Sequence, residues 1–168
     1  MMTSPDAQEY YQNPLGQKLR CQFHAPTKNV YDKPPVLAYV PGIGGGMRSP
    51  ATVNSMQTVL ENGWAVFCFD PVPTKDVKNG PFDFKADTRH LSPHTYIQTI
   101  HAALHHLEDH HKDEVDMDKL SLHCSSLGAY CGGWYAAHAN GLADQHRVLK
   151  EKPYALKGVV FQSPVLNP

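Results

Sequence analysis

The sequence predicts an α/β protein, a doubly wound and mainly parallel sheet with helices on both faces. Three observations carry that expectation. Short apolar runs without polar alternation, Val36 to Val40 and Trp64 to Asp70 among them, suit strands buried on both faces. Stretches with apolar residues at helical spacing separate those runs. The two kinds of segment alternate along the chain, which implies parallel pairing through right-handed crossovers.

The elements follow in order. The opening MMTSPDAQEYYQNPLG is polar and acidic where a secretory signal needs a basic stretch followed by an apolar one. Leu19 to His24 alternate in a strand-like way, and APTKNVYDKPP is a proline-punctuated loop. Val36 to Val40 is a buried strand that breaks at once into PGIGGG, a loop under geometric demand. Val53, Met56, Val59 and Leu60 mark a helix over Ser49 to Asn62, with Gly63 as its stop signal. Trp64 to Asp70 is the next strand, and PVPTKDVKNGPFDFKADTRHLSP, without periodicity, is a long excursion loop. From Thr95, a single helix face carries Tyr96, Ile97, Ile100, Ala103, Leu104 and Leu107. Leu120 to Cys124 is a strand, SSLGAYCGGWYAAHA a turn opening into a helix, and Gly158 to Pro164 a last strand. With no internal repeat or low-complexity tract, residues 1–168 read as a single domain.

Composition narrows the partners. Of 168 residues, 41% are hydrophobic, enough for one buried core. Fifteen basic residues against sixteen acidic ones leave no electrostatic footprint for nucleic acid or an anionic membrane, so a small neutral substrate is the easier fit. No apolar run approaches the roughly 20 residues of a membrane-spanning helix. The four cysteines, Cys21, Cys68, Cys124 and Cys131, are scattered without a CxxC pair, the usage of a reduced, cytoplasmic protein. No cofactor is expected: a Walker loop is absent, and a dinucleotide loop starting at Gly42 or Gly44 would need glycine where Met47 or Ser49 stands.

The strongest chemical signal is CSSLG, Cys124 to Gly128, where a strand becomes a helix. A nucleophile elbow, G-x-S-x-G, needs small residues two before and two after its serine because the backbone turns so sharply. Gly128 meets the second requirement, and Cys124 replaces glycine at the first. A helix N-cap, with Ser125 or Ser126 accepting a bond from a first-turn amide, fits the same string.

The segment TYIQTIHAALHHLEDHHKDEVDMDKLSLHCSSLGAY resembles the helix, V-D-x-D-K/R turn, strand and elbow of the α/β-hydrolase superfamily, particularly its dienelactone-hydrolase-like and serine-peptidase-like branches. VLAYVPGIGGG resembles that family's third strand and H-G-x-G-G oxyanion loop, with Pro41 where histidine is usual. GWAVFCFDPVP resembles its fourth strand and LKGVVFQSPV its sixth, so the resemblance runs from Leu19 to Pro164. It implies a serine hydrolase acting on a small ester, thioester or amide through an acyl-enzyme on Ser126. The oxyanion amides would be those of Leu127 and Ile43, with Gly44 as second choice for the latter.

The family presents its triad in the order serine, acid, histidine, the last two after later strands. The chain ends at Pro168, so the resemblance implies a domain incomplete at its C-terminus, lacking the last strands. After Ser126 come His138, Asp144, His146 and Glu151, but a helix of a dozen residues carries Asp144 and His146 about 20 Å from the serine. Upstream, Asp70 ends a strand on the active-site side, and Asp87, His90 and His94 lie in or just after the long loop, so these four are the candidate acids and bases. The other class is a non-catalytic binding or interaction protein of the same fold, a pseudoenzyme or truncated fragment without a complete triad. A sheet edge left bare beside Val159 to Phe161 would favour a homo-oligomer.

HxxxH recurs at His101/His105 and His106/His110, a spacing that lets two imidazoles share a metal. Both pairs fall away from the Ile100, Leu104 and Leu107 stripe, so a solvated face and no metal are expected. His123 is expected to be a buried, hydrogen-bonded side chain.

Overall fold

The computed structural model describes residues 8–42, 47, 50–76, 84–141 and 148–162. Its strands are β1 (Glu9–Gln12), β2 (Lys18–His24), β3 (Pro35–Val40), β4 (Ala65–Phe69), β5 (Thr74–Asp76), β6 (Phe84–Ala86), β7 (Asp116–Ser125) and β8 (Gly158–Gln162). Its helices are α1 (Pro50–Glu61), α2 (Pro93–His111) and α3 (Leu127–Ala139). Six strands form one sheet in the order β1-β2-β4-β3-β7-β8. From β4 across to β8 every pairing is parallel, whereas β1 and β2 add an antiparallel edge.

Side chains alternate across this sheet, as pleating requires. Val36, Ala38 and Val40 of β3, Phe67 and Phe69 of β4, and Leu120, Leu122 and Cys124 of β7 join α2 and α3 in the main core. The opposite face of β3 and β4 offers Tyr39, Val66 and Cys68 to Met56 of α1. Ser92 starts α2 through a reciprocal cap with Thr95, and Pro93 stands in the first helical turn, where its missing N–H costs nothing. The four cysteines are all buried and unpaired.

Three details depart from the sequence reading. The excursion after β4 contains a small antiparallel ribbon, β5 with β6, instead of running without structure. A strand, β1, forms on Glu9–Gln12, where no periodic pattern signals it; backbone pairing with β2 and a tyrosine hydroxyl, Tyr11, donating to the Asp70 carbonyl hold it there. The strand before the elbow starts at Asp116, through a register shift that sets Asp116 beside Pro35 and Leu120 beside Val36.

The histidine face of α2 is the larger correction. His101 is buried and His106 nearly so, against the expectation of solvent. A helical wheel scores burial against one partner, the sheet, but α2 is covered on two further sides. β1 brings Glu9, whose carboxylate meets Nε2 of both His106 (2.7 Å) and His111 (3.0 Å). The segment before β8 brings Glu151 and Tyr154 against His101 and His105. At the other end of the sheet order, β8 leaves Val160 56% and Phe161 50% exposed. No helix among the described residues is long and apolar enough to cross a membrane.

Candidate active site

β7 ends at Ser125, α3 begins at Leu127, and Ser126 joins them with φ 53° and ψ −123°. Among the described residues it alone combines a side chain with positive φ. Such a conformation costs on the order of 1–3 kcal/mol and persists only where the surroundings enforce it. Ser126 makes no side-chain cap bond to α3, and Ser125 is occupied as the last residue of the strand, opposite Gln162. The turn is therefore an elbow and not a serine-capped helix start.

Four contacts enforce the turn. The Ser126 N–H donates to the Gln162 carbonyl (3.1 Å), and the Ala129 N–H donates to the Ser126 carbonyl (2.9 Å). Gly42, two residues past the end of β3, packs so close that a Cβ there would stand 2.8 Å from the Ser126 Cβ. A Cβ on Gly128 would stand 2.4 Å from the carbonyl oxygens of both Val40 and Pro41. The first turn of α3 thus rests against the end of β3, which only glycine at 128 permits.

Cys124 occupies the position where the elbow pattern has glycine, and the structure shows how it fits. Its sulfur lies where a side chain on Gly132 would begin, since a Cβ at 132 would meet Sγ at 2.3 Å. The missing glycine in the strand is thus matched by one a turn later in the helix. We expect Gly132→Ala to cost about 1–3 kcal/mol through overpacking. Adding Cys124→Gly should restore most of that loss in urea unfolding, whereas an additive double variant would mean that the two positions do not share the space.

The glycine loop is anchored at both ends. The buried Tyr96 hydroxyl, on the first turn of α2, donates to the Pro41 carbonyl. Beyond the loop, the Met47 N–H donates to Asp70 Oδ1 at 3.1 Å. Ile43 and Gly44 lie outside the described residues. Leu127 is the first residue of α3, where a backbone N–H has no intrahelical acceptor and is free for an anion.

The candidate acids and bases are dispersed. Asp70 is fully buried, and its second oxygen accepts from Arg20 Nε (2.8 Å) and from the Thr74 hydroxyl, so its carboxylate is engaged as an anchor. Asp87 accepts a two-pronged bond from Arg89, which holds its carboxyl well below the usual range. Asp87 and the exposed His90 line a small hollow with Asn13, Leu15, Val72 and Thr95, beside the β1–β2 turn. His94 is exposed on the first turn of α2, next to Gln98. His123 is half-buried edge-on to Tyr39, and burial lowers its pKa while a hydrogen bond to the Gln162 side chain opposes that shift. Asp144 and His146 lie outside the described residues. Among the described residues, no histidine or carboxylate hydrogen-bonds the Ser126 hydroxyl.

Tyr96, Gln162 and Gly132 shape this site and were not singled out from the sequence. Tyr96 and Gln162 act through partners 55 and 36 residues away, and Gly132 through Cys124 of the preceding strand, so no local pattern marks them.

No family model and no curated protein matches the chain. Solved structures do resemble it. An esterase from Pyrococcus furiosus superposes with a TM-score of 0.63 at 14% identity, over 94% of this chain and 48% of its own. An alpha/beta hydrolase from Novosphingobium aromaticivorans gives 0.57 at 18%, over 95% and 44%. A thermostable carboxyl esterase from Bacillus coagulans gives 0.58 at 16%, over 84% and 43%. The chain spans less than half the length of each, and at these identities the likeness is one of fold.

Proposed function

We propose that this α/β-hydrolase fold carries a serine nucleophile, Ser126, for acyl transfer from a small ester, thioester or amide. The observation that carries the reading is the backbone of Ser126, held at positive φ between a strand and a helix with its hydroxyl uncommitted to capping. Such a turn lifts the hydroxyl clear of the strand and aims it over the carboxyl edge of the sheet, where ligands bind in folds of this kind. In the reaction the Ser126 oxygen bonds to the carbonyl carbon and its proton passes to a base. The leaving group then departs with a proton, and water releases the acyl group. The Leu127 N–H, and that of Ile43 or Gly44 from the glycine loop, would hold the oxyanion. Burial pushes the nearby Cys124 and Cys131 thiols up to about 12, so neither competes as a nucleophile at neutral pH.

A fluorophosphonate probe is expected to label the chain at Ser126, located by peptide mass, and to leave Ser126→Ala unlabelled. Equal labelling of both proteins would dismiss Ser126 as the nucleophile. The lack of a described histidine on the Ser126 hydroxyl favours a second reading for turnover, an elbow retained without a complete relay. Hydrolysis of p-nitrophenyl acetate separates the two: Ser126-dependent turnover well above background supports the enzyme, and labelling without turnover supports the second reading.

A further inference from the structure

On the flank of α2 that meets α3 and the segment before β8, two histidines and a glutamate converge. His105 Nε2 lies 2.8 Å from Glu151 Oε2, and His101 Nε2 lies 3.7 Å from the same oxygen. All three atoms fall within 4.8 Å of one another. His101 is 8% exposed, and its Nε2 is buried without a hydrogen-bond partner. A buried polar atom left unsatisfied is costly, so the position calls for a partner.

The other nitrogen of each ring is held by a tyrosine. His105 Nδ1 meets the Tyr154 hydroxyl at 3.0 Å, and His101 Nδ1 meets the Tyr135 hydroxyl at 3.1 Å. The Tyr154 hydroxyl has one hydrogen and gives it to the Glu108 carboxylate, so toward His105 its oxygen accepts. This network places a hydrogen on His105 Nδ1, so the neutral ring presents a lone pair on Nε2, which faces a carboxylate oxygen at 2.8 Å. Two acceptors at that distance are bridged either by a second proton on the imidazole or by a metal ion. Tyr135, which also accepts the Tyr154 N–H (3.1 Å), can take the Nδ1–H of His101 in the same manner. Ring nitrogens fixed from behind by hydrogen bonds are how metal-ligating histidines are oriented.

We propose that His101, His105 and Glu151 form a binding site for a borderline divalent transition-metal ion, with Zn²⁺ the best-suited occupant, that clamps the segment before β8 onto α2. Two imidazoles and one carboxylate select such an ion over Mg²⁺ or Ca²⁺, which favour all-oxygen shells. A tetrahedral ion with bonds of about 2.0–2.1 Å sets its ligand atoms about 3.3–3.4 Å apart. The observed 2.8 and 3.7 Å bracket that spacing. Glu151 can make the adjustment of about half an ångström, because its side chain is 69% exposed. Water completes the fourth position on the solvent side. The clamped segment leads directly into β8, whose Gln162 carbonyl holds the Ser126 N–H, so an ion here would stiffen the strand that supports the elbow. The site stands on its own geometry and is independent of any reaction at Ser126.

The test is calorimetric titration of the EDTA-stripped chain with ZnCl₂, alongside thermal unfolding with and without zinc and visible spectra of the Co²⁺ form. Saturable one-to-one binding is expected, with a raised unfolding midpoint that EDTA reverses and the intense d–d bands of four-coordinate cobalt. Glu151→Gln and His105→Gln should each weaken binding at least about tenfold. His110→Ala, which removes an exposed imidazole on the same helix, should leave it unchanged. Unfolding midpoints in EDTA check that the variants fold, and Glu151→Gln, at an exposed position, remains decisive if His105→Gln does not. Absence of saturable binding, or binding that survives Glu151→Gln and His105→Gln undiminished, would overturn the site; the latter would assign the zinc to other histidines.

Discussion

Replacing Asp70 by alanine should destabilise the protein by about 3–5 kcal/mol, the range for breaking a buried ion pair from one side. The carboxylate is fully buried, and Arg20, its partner at 2.8 Å, has a side chain only 11% exposed, so the variant takes a buried carboxylate away from a largely enclosed guanidinium. The substitution also removes the acceptor for the Met47 N–H, freeing one end of the glycine loop. Urea unfolding gives the stability change, and Asp70→Leu combined with Arg20→Met separates the two consequences. A well-packed apolar replacement of a buried pair often recovers stability. The double variant should therefore approach wild-type stability while still labelling poorly at Ser126, because the loop anchor stays absent. A loss under about 1 kcal/mol for Asp70→Ala would mean that the Arg20–Asp70 pair contributes no more than an exposed one.

The second large effect is expected at Gly128. A methyl group there would meet two backbone carbonyl oxygens at 2.4 Å, and backbone has no rotamer through which to yield. Helix α3 must move away from β3 by nearly an ångström, at a cost of about 3 kcal/mol, the upper end for overpacking. The same shift moves the Leu127 N–H relative to the serine, so fluorophosphonate labelling of Gly128→Ala should slow about 10²-fold. Gly133→Ala is the matched control. Its Cβ would meet only the Phe161 ring at 3.6 Å, an ordinary contact, and alanine for glycine inside a helix should add about 0.5–1 kcal/mol of stability. If Gly128→Ala behaves like Gly133→Ala in both measurements, the close approach of α3 to β3 is not what holds the elbow.

Where apolar pattern reports burial directly, the sequence was sufficient. Val36 to Val40 and Trp64 to Asp70 are uninterrupted because both faces of their strands are covered, and they become β3 and β4. The Tyr96-to-Leu107 stripe becomes the buried face of α2 for the same reason. Glu9–Gln12 and Asp116–Lys119 escaped notice because their strands rest on backbone pairing with a neighbour, which leaves no hydrophobic period. The α2 histidines misled because amphipathicity encodes one buried side, whereas β1 and the segment before β8 bury two more with polar contacts.

For the site, the string CSSLG determined by itself that residues 124–128 form either an elbow or a capped helix start, since small residues around a serine are the steric requirement of both. Only the tertiary structure decided between them. The choice rests on the Gln162 carbonyl, the Gly42 backbone and the ends of β3, which lie 36 to 88 residues from the elbow and are brought to it by the sheet order β3-β7-β8. Positive φ at a serine costs energy locally, so no local sequence preference can announce it. It persists because strands on both sides hold the turn from outside.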